Sequence, residues 1–204
     1  MVRKFLGVVS LVATLLAGVG LSAGPVGAAE EYDYAKPKDF WSLAASAADY
    51  AVYKPTKEGL QRSGLQGAGV PPLGSTMSTI CAGQWTISQF LQGDRDEPKV
   101  RMYMTQAPSR QCMPDPRYGE APEAKWTFKA GGKQFTAFYQ GCLTTPAGQP
   151  EPALSDCPAN QVYYNVDGRL PAAGGAEGPW IHLETDGMTR PQIRSLVRSM
   201  VPVR

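Results

Sequence analysis

The chain holds a single imidazole, His182, and four thiols, Cys81, Cys112, Cys142 and Cys157, and these residues bound the chemistry it can do. A Ser-His hydrolase needs an imidazole to take the nucleophile's proton. His182 is the one candidate, with Glu184 two residues on as a carboxylate of the same strand face. Ser155, Ser195 and Ser199 sit in no G-x-S-x-G elbow. Alternation puts Ile181 and Leu183 inward and Trp180, His182 and Glu184 outward, so His182 reads as a surface residue beside an aromatic. Its removal should then cost about 0.5 kcal/mol or less. The acids Asp94, Asp96 and Glu97 crowd a turn with Arg95 and Lys99, where a solvated tip is expected and neither a catalytic pair nor a calcium loop. No C-x-x-C occurs and one histidine completes no usual zinc set, so neither a metal nor a cofactor is expected.

The thiols make sense in an oxidising compartment, where an even number reads as two disulfides. The N-terminus supplies the route there. Arg3 and Lys4 precede an apolar run from Phe5 to Leu21, and Val26-Gly27-Ala28-Ala29 offers the small residues of a cleavage site. Residues 1–29 are therefore read as a signal peptide and 30–204 as one secreted domain, flexible over 30–38. The alternative is retention of 5–21 as an anchor; after cleavage no membrane span is expected. The whole chain has 20 basic and 18 acidic side chains over 204 residues, and the leader takes away two bases and no acid. A mature chain of balanced charge argues against nucleic acid as a partner, since phosphate neutralisation needs a basic excess.

The elements that position these residues are short strands. Val100, Met102 and Met104 share one face of a strand and Arg101, Tyr103 and Thr105 the other, after the run Trp85–Leu91. A hairpin turning between Asp96 and Glu97 brings Cys81 opposite Cys112, within the 4.4–6.8 Å Cα spacing of a disulfide. Gly131-Gly132 reads as a primed two-residue turn between Trp126–Ala130 and Lys133–Tyr139. Cys142 and Cys157 flank a Pro- and Gly-rich loop that a second bridge would close. Val162–Val166 and Trp180–Glu184 read as a further strand pair, joined by a loose stretch from Asp167 to Pro179. Thr189 and Gln192 form a capping box for a last helix with Ile193, Leu196, Val197 and Met200 on its apolar face. Phe40–Ala48 suggests a first helix, Tyr50–Tyr53 a strand, and Gly59–Ser78 a broken loop. The expected fold is α+β: an antiparallel meander sheet of about six or seven strands, with an N-terminal and a C-terminal helix packed on one face and two disulfides.

This order, from the first helix through Tyr50-Ala51-Val52-Tyr53-Lys54-Pro55-Thr56 to Trp180-Ile181-His182-Leu183 and Gly187-Met188-Thr189, resembles bacterial extracytoplasmic domains of unassigned function. Those occur as secreted proteins, lipoproteins and the outer parts of anti-sigma factors. The likeness spans about two-thirds of the mature chain and implies a binding or sensing module outside the membrane. It supplies no catalytic set, and this chain has no lipid-attachment cysteine beside its leader. The resulting expectation is a secreted, extracellular, envelope-associated binding module, probed against a secreted hydrolase and a disulfide-stabilised protease inhibitor. Candidate binding residues are Tyr163, Trp180, His182 and Glu184, with Arg190, Arg194 and Arg198 as a helical stripe for an anionic partner such as an envelope polymer or lipid head groups; another protein is the other kind of partner. Tyr163, Trp180 and Phe138 are expected under helix cover, the alternative being an aromatic platform for sugar or peptide.

Overall fold

Period-two runs build most of this molecule and one strongly amphipathic helix closes it. The computed structural model describes residues 31–33, 37–65, 74–81, 84–93, 100–114 and 125–203. The leader and the charged tip Asp94–Glu97 lie outside the described residues. In chain order the elements are β1 (Glu31–Asp33), α1 (Pro37–Ala47), β2 (Tyr53–Pro55), α2 (Lys57–Arg62), β3 (Gly74–Cys81), β4 (Gln84–Gln92), β5 (Arg101–Ala107), β6 (Lys125–Ala130), β7 (Lys133–Cys142), β8 (Val162–Arg169), β9 (Trp180–Asp186), α3 (Arg190–Arg198) and β10 (Met200–Pro202). Short 3₁₀ turns stand at Arg110–Cys112 and Leu154–Asp156.

The fold is α+β, with an antiparallel sheet of eight strands in the order β1-β3-β4-β5-β9-β8-β7-β6 and a separate β10-β2 pair. Two meanders, one from each half of the chain, therefore meet where β5 pairs with β9. The β4–β5 register sets Ile87 against Gln106 and Leu91 against Met102, the register expected from a turn between Asp96 and Glu97. Both bridges follow: Cys81–Cys112 with Cα atoms 5.5 Å apart and Cys142–Cys157 at 5.7 Å. Gly131 and Gly132 both take positive φ, 55° and 74°, as a primed turn requires and as residues with a Cβ avoid.

Met102, Met104, Leu183, Val166, Phe135 and Ala137 are buried with Ile193, Leu196 and Val197 of α3. Phe40 and Ala44 of α1 are buried in a smaller cluster with Ile87, Tyr50 and Val52. Gln192 reaches back to accept from the Thr189 N–H at 2.8 Å, the capping contact its spacing announces.

Three elements depart from the sequence reading. Residues 57–62 form a helix that runs into the stretch Gly59–Ser78 read as loop, started by Thr56, whose hydroxyl accepts from the Gly59 N–H at 3.1 Å. Residues 74–81 form β3, whose polar, bulged sequence has no clean alternation. The strand expected at Tyr50–Tyr53 shifts to Tyr53–Pro55 and joins β10 outside the main sheet. Gln106 ties that pair to the sheet: its amide accepts from the Tyr53 N–H at 2.8 Å and donates to the Tyr53 carbonyl at 2.6 Å, while the Tyr50 hydroxyl donates to the Gln106 carbonyl at 3.0 Å. Gln106→Leu should destabilise the fold by about 2 kcal/mol, because it strands a buried N–H and a buried C=O together. Urea unfolding measures this; a loss no larger than that of an exposed substitution would refute it.

Candidate binding face and its buried charge network

Register across the sheet gathers the side chains on the face opposite Met104 and Leu183. Phe138, Asn165, Glu184, Tyr103 and Phe90 stand in one cross-strand row, from β7 through β8, β9 and β5 to β4. The next row holds Thr136, Asp167, His182, Thr105 and Ser88. Trp180, with Ala107 and Arg169 as its neighbours, sits farther along the same face. Phe90, Phe138, Tyr163, Trp180 and Glu184 are half-buried, and Tyr103 is 36% exposed.

Under this face runs a chain of charges. His182 Nδ1 lies 2.6 Å from Asp167 Oδ1, and Asp167 Oδ2 lies 2.8 Å from Arg110 Nε. On its other side His182 Nε2 faces Glu184 Oε1 at 3.6 Å, an ion-pair separation longer than a hydrogen bond, and Glu184 Oε2 accepts from the Tyr163 hydroxyl at 3.4 Å. Arg110 belongs to the 3₁₀ turn that the Cys81–Cys112 bridge fastens beside the sheet.

His182 is outward in face, as alternation demands, yet 0% exposed; the expected surface residue is a buried one. Alternation reports which face a side chain takes and carries no information on what later folds over that face. Burial alone pulls the imidazole pKa down, but the hydrogen bond and charge of Asp167 and the pull of Glu184 outweigh it and leave it raised. Glu184 is lowered, chiefly by His182, against burial, with the Tyr163 hydroxyl assisting. Burial raises Tyr163 to about 12, with the charges of Glu184 and Asp186 adding to the effect. Asp186 is raised by burial and by Glu184, partly offset by Arg101. The fold thus places His182 between two carboxylates, which favour its protonated form. The Ser88 and Thr105 hydroxyls, on the same row, lie 3.4 Å from one another, and His182 Nε2 makes no hydrogen bond.

Beside this network the β7–β8 register shifts between Tyr139 and Gly141, leaving Gln140 as the extra residue of a bulge. The bulge opens a cleft of about 380 Å³ lined by Gln140, Leu143, Glu151, Tyr163 and Asn165. The Cys142–Cys157 loop forms its wall. Glu151 braces that loop by accepting from the Cys142 N–H at 2.9 Å and the Thr145 hydroxyl at 3.0 Å, while Leu143 at the loop base is 45% exposed.

The arginine stripe of α3 is divided. Arg190 lies over the Trp126 ring at 5.6 Å and its Nε donates to the Tyr164 hydroxyl at 3.4 Å; Arg194 lies over the same ring at 5.9 Å. Arg198 Nε donates to the Lys129 carbonyl at 3.1 Å. Arg190, Arg194 and Arg198 are all exposed and have different anchors, Trp126 with Tyr164, Trp126 alone, and the Lys129 carbonyl. Sequence reasoning passed over Asp167, Arg110, Asn165 and Tyr103 as site residues. Asp167 was legible in principle, since Tyr163, Asn165 and Asp167 continue one alternation; Arg110 was not, because only the folded turn carries it to the sheet.

Among the described residues no group of three or more His, Cys, Asp or Glu side chains is placed to hold a metal ion, and no helix is long and apolar enough to cross a membrane. The chain matches no protein-family model, no curated protein and no solved structure.

Proposed function

We propose that this chain is a secreted, envelope-associated binding module that performs no catalysis, and that it holds a polysaccharide strand of the envelope across the outer face of its sheet. The row Phe138, Asn165, Glu184, Tyr103, Phe90 carries the reading. It combines aromatic faces for sugar rings with an amide and a carboxylate for their hydroxyls. With strands about 4.8 Å apart, five residues in line offer a track of about 19 Å, longer than one sugar. Buried side chains of α1 and α3 cluster with Ile87 and with Met104, on the face opposite the row, while Tyr103 is 36% exposed and Phe90, Phe138, Tyr163, Trp180 and Glu184 stay half-buried; this supports the platform alternative over helix cover. Both nitrogens of His182 face carboxylates, an arrangement suited to fixing Glu184 and Asp167 in place and ill suited to taking a proton from a substrate.

Co-sedimentation of the mature protein with insoluble envelope polysaccharide tests the proposal. The wild type should pellet with the polymer, and Tyr103→Ala with Phe138→Ala should weaken retention by about tenfold, the loss expected when central aromatic contacts are removed. Equal retention of that double variant would refute the platform. Turnover of an ester, peptide or glycoside substrate that vanished in a folded His182→Ala variant would refute the non-catalytic reading.

A further inference from the structure

The geometry points to a second binding site, for a phosphate-bearing polyanionic chain, in the groove between α2 and α3, away from the sheet face. The groove has a volume of about 540 Å³ and is lined by Arg62 from α2, by Arg194, Ser195 and Arg198 from α3, and by Thr56 and Glu58. Its shape depends on Gly59, which is buried against Ser199: a Cβ there would collide with the Ser199 side chain, so glycine lets the two helices close on one another. That contact brings Arg62 opposite Arg194 and Arg198, a grouping invisible in the α3 stripe, where Arg190 turns away to Tyr164.

Two of the three cations, Arg194 and Arg198, are anchored without an ion pair among the described residues. Arg194 is stacked on Trp126 and Arg198 is fastened through Nε to the Lys129 carbonyl, which orients both guanidinium groups before any ligand arrives. Glu58, the one acid among the described residues of the rim, pairs with Arg62 at an exposed position, where such a pair is weak and readily exchanged. Like charges gathered on one helix and across a groove repel unless an anion enters. Residues four apart on a helix lie about 5–6 Å from one another, so Arg194 and Arg198 present forks spaced for successive charges along a chain. A flat bilayer fits less well: the site is concave, and Val201 is its only large exposed apolar residue, whereas membrane-surface binding uses a broad apolar face beneath its cations.

The test uses the mature protein with polyphosphate of defined length as the probe, and vesicles containing phosphatidylglycerol as a second arm. Calorimetry at low ionic strength should show saturable polyphosphate binding that weakens steeply with salt. Arg194→Gln with Arg198→Gln should weaken it about tenfold, while Lys at both positions, keeping charge and losing the fork, should restore it only in part. Tyr103→Ala with Phe138→Ala should leave it unchanged, which separates this site from the sheet platform. Should the Gln pair prove unfolded by circular dichroism, Arg62→Gln, on the exposed rim, reads the same site. Polyphosphate binding that is absent, that survives the arginine changes, or that is matched by vesicles with polyphosphate failing to compete would overturn the proposal.

Discussion

His182→Ala should destabilise the fold by about 3–5 kcal/mol, the range for removing one partner of a buried ion pair. For a domain of this size that corresponds to a fall in Tm on the order of 10 °C. The cause is what the substitution leaves behind. Asp167, nearly buried, keeps only Arg110, and a cavity replaces the ring between Asp167 and Glu184. The pH dependence identifies the mechanism. A histidine with a raised folded pKa favours the protonated state on folding, so its contribution is complete below the ordinary value of 6.5 and is lost as pH rises through the raised value. Glu184 has the opposite sign: its contribution is present above 4.5 and is lost as pH falls through its lowered value. Wild-type stability should peak between these limits and decline on the alkaline side, and His182→Ala should abolish that decline. Thermal melts from pH 5 to 9 measure both effects. An equal penalty at pH 6 and pH 9 would mean that His182 is not the cation of this network. A double-mutant cycle with Asp167→Ala should show strong non-additivity, since the second removal takes away the charge the first left unpaired.

Opening the Cys81–Cys112 bridge should be more damaging than opening Cys142–Cys157, although the second braces the cleft. Chain entropy sets the base: sequence separations of 31 and 15 correspond to about 3.7 and about 3 kcal/mol on the loop-closure model. The bridge at Cys112 adds a second contribution because Arg110, two residues earlier, supplies the ion pair to Asp167. Replacing Cys81 and Cys112 with Ala should therefore be non-additive with Arg110→Ala, while the Cys142 and Cys157 pair should add independently. Guanidinium unfolding of the five variants, the two cysteine pairs, Arg110→Ala and its combination with each pair, under oxidising conditions decides this. If the two bridges rank in the reverse order, or if Arg110 adds to both equally, Arg110 is not held to the sheet by its disulfide.

The local level of this structure was legible in the residues. The turn between Asp96 and Glu97 predicted the β4–β5 register and with it the pairing of Cys81 to Cys112; two glycines announced the β6–β7 turn; Thr189 and Gln192 announced the start of α3. Each signal works within about ten residues, through side-chain period, positive φ or a capping hydrogen bond. β3 and α2 escaped the same reading because one is polar and bulged and the other is six residues around a glycine, so partners supplied from elsewhere stabilise them.

By itself the sequence determined the composition of the two meanders, the face that each strand residue takes, the absence of a second imidazole and the thiols available for two bridges. Only the tertiary structure decided that β5 lies beside β9, which sets Tyr103 next to Glu184 and Thr105 next to His182 across about 80 positions of chain. It alone buried His182, delivered Arg110 to Asp167, and exchanged Arg190 for Arg62 in the basic groove. The physical reason is one of range. Periodicity and turn chemistry act between neighbours in the chain, whereas burial and charge pairing depend on which distant surfaces meet, and that choice is made by the energy of the whole packed fold.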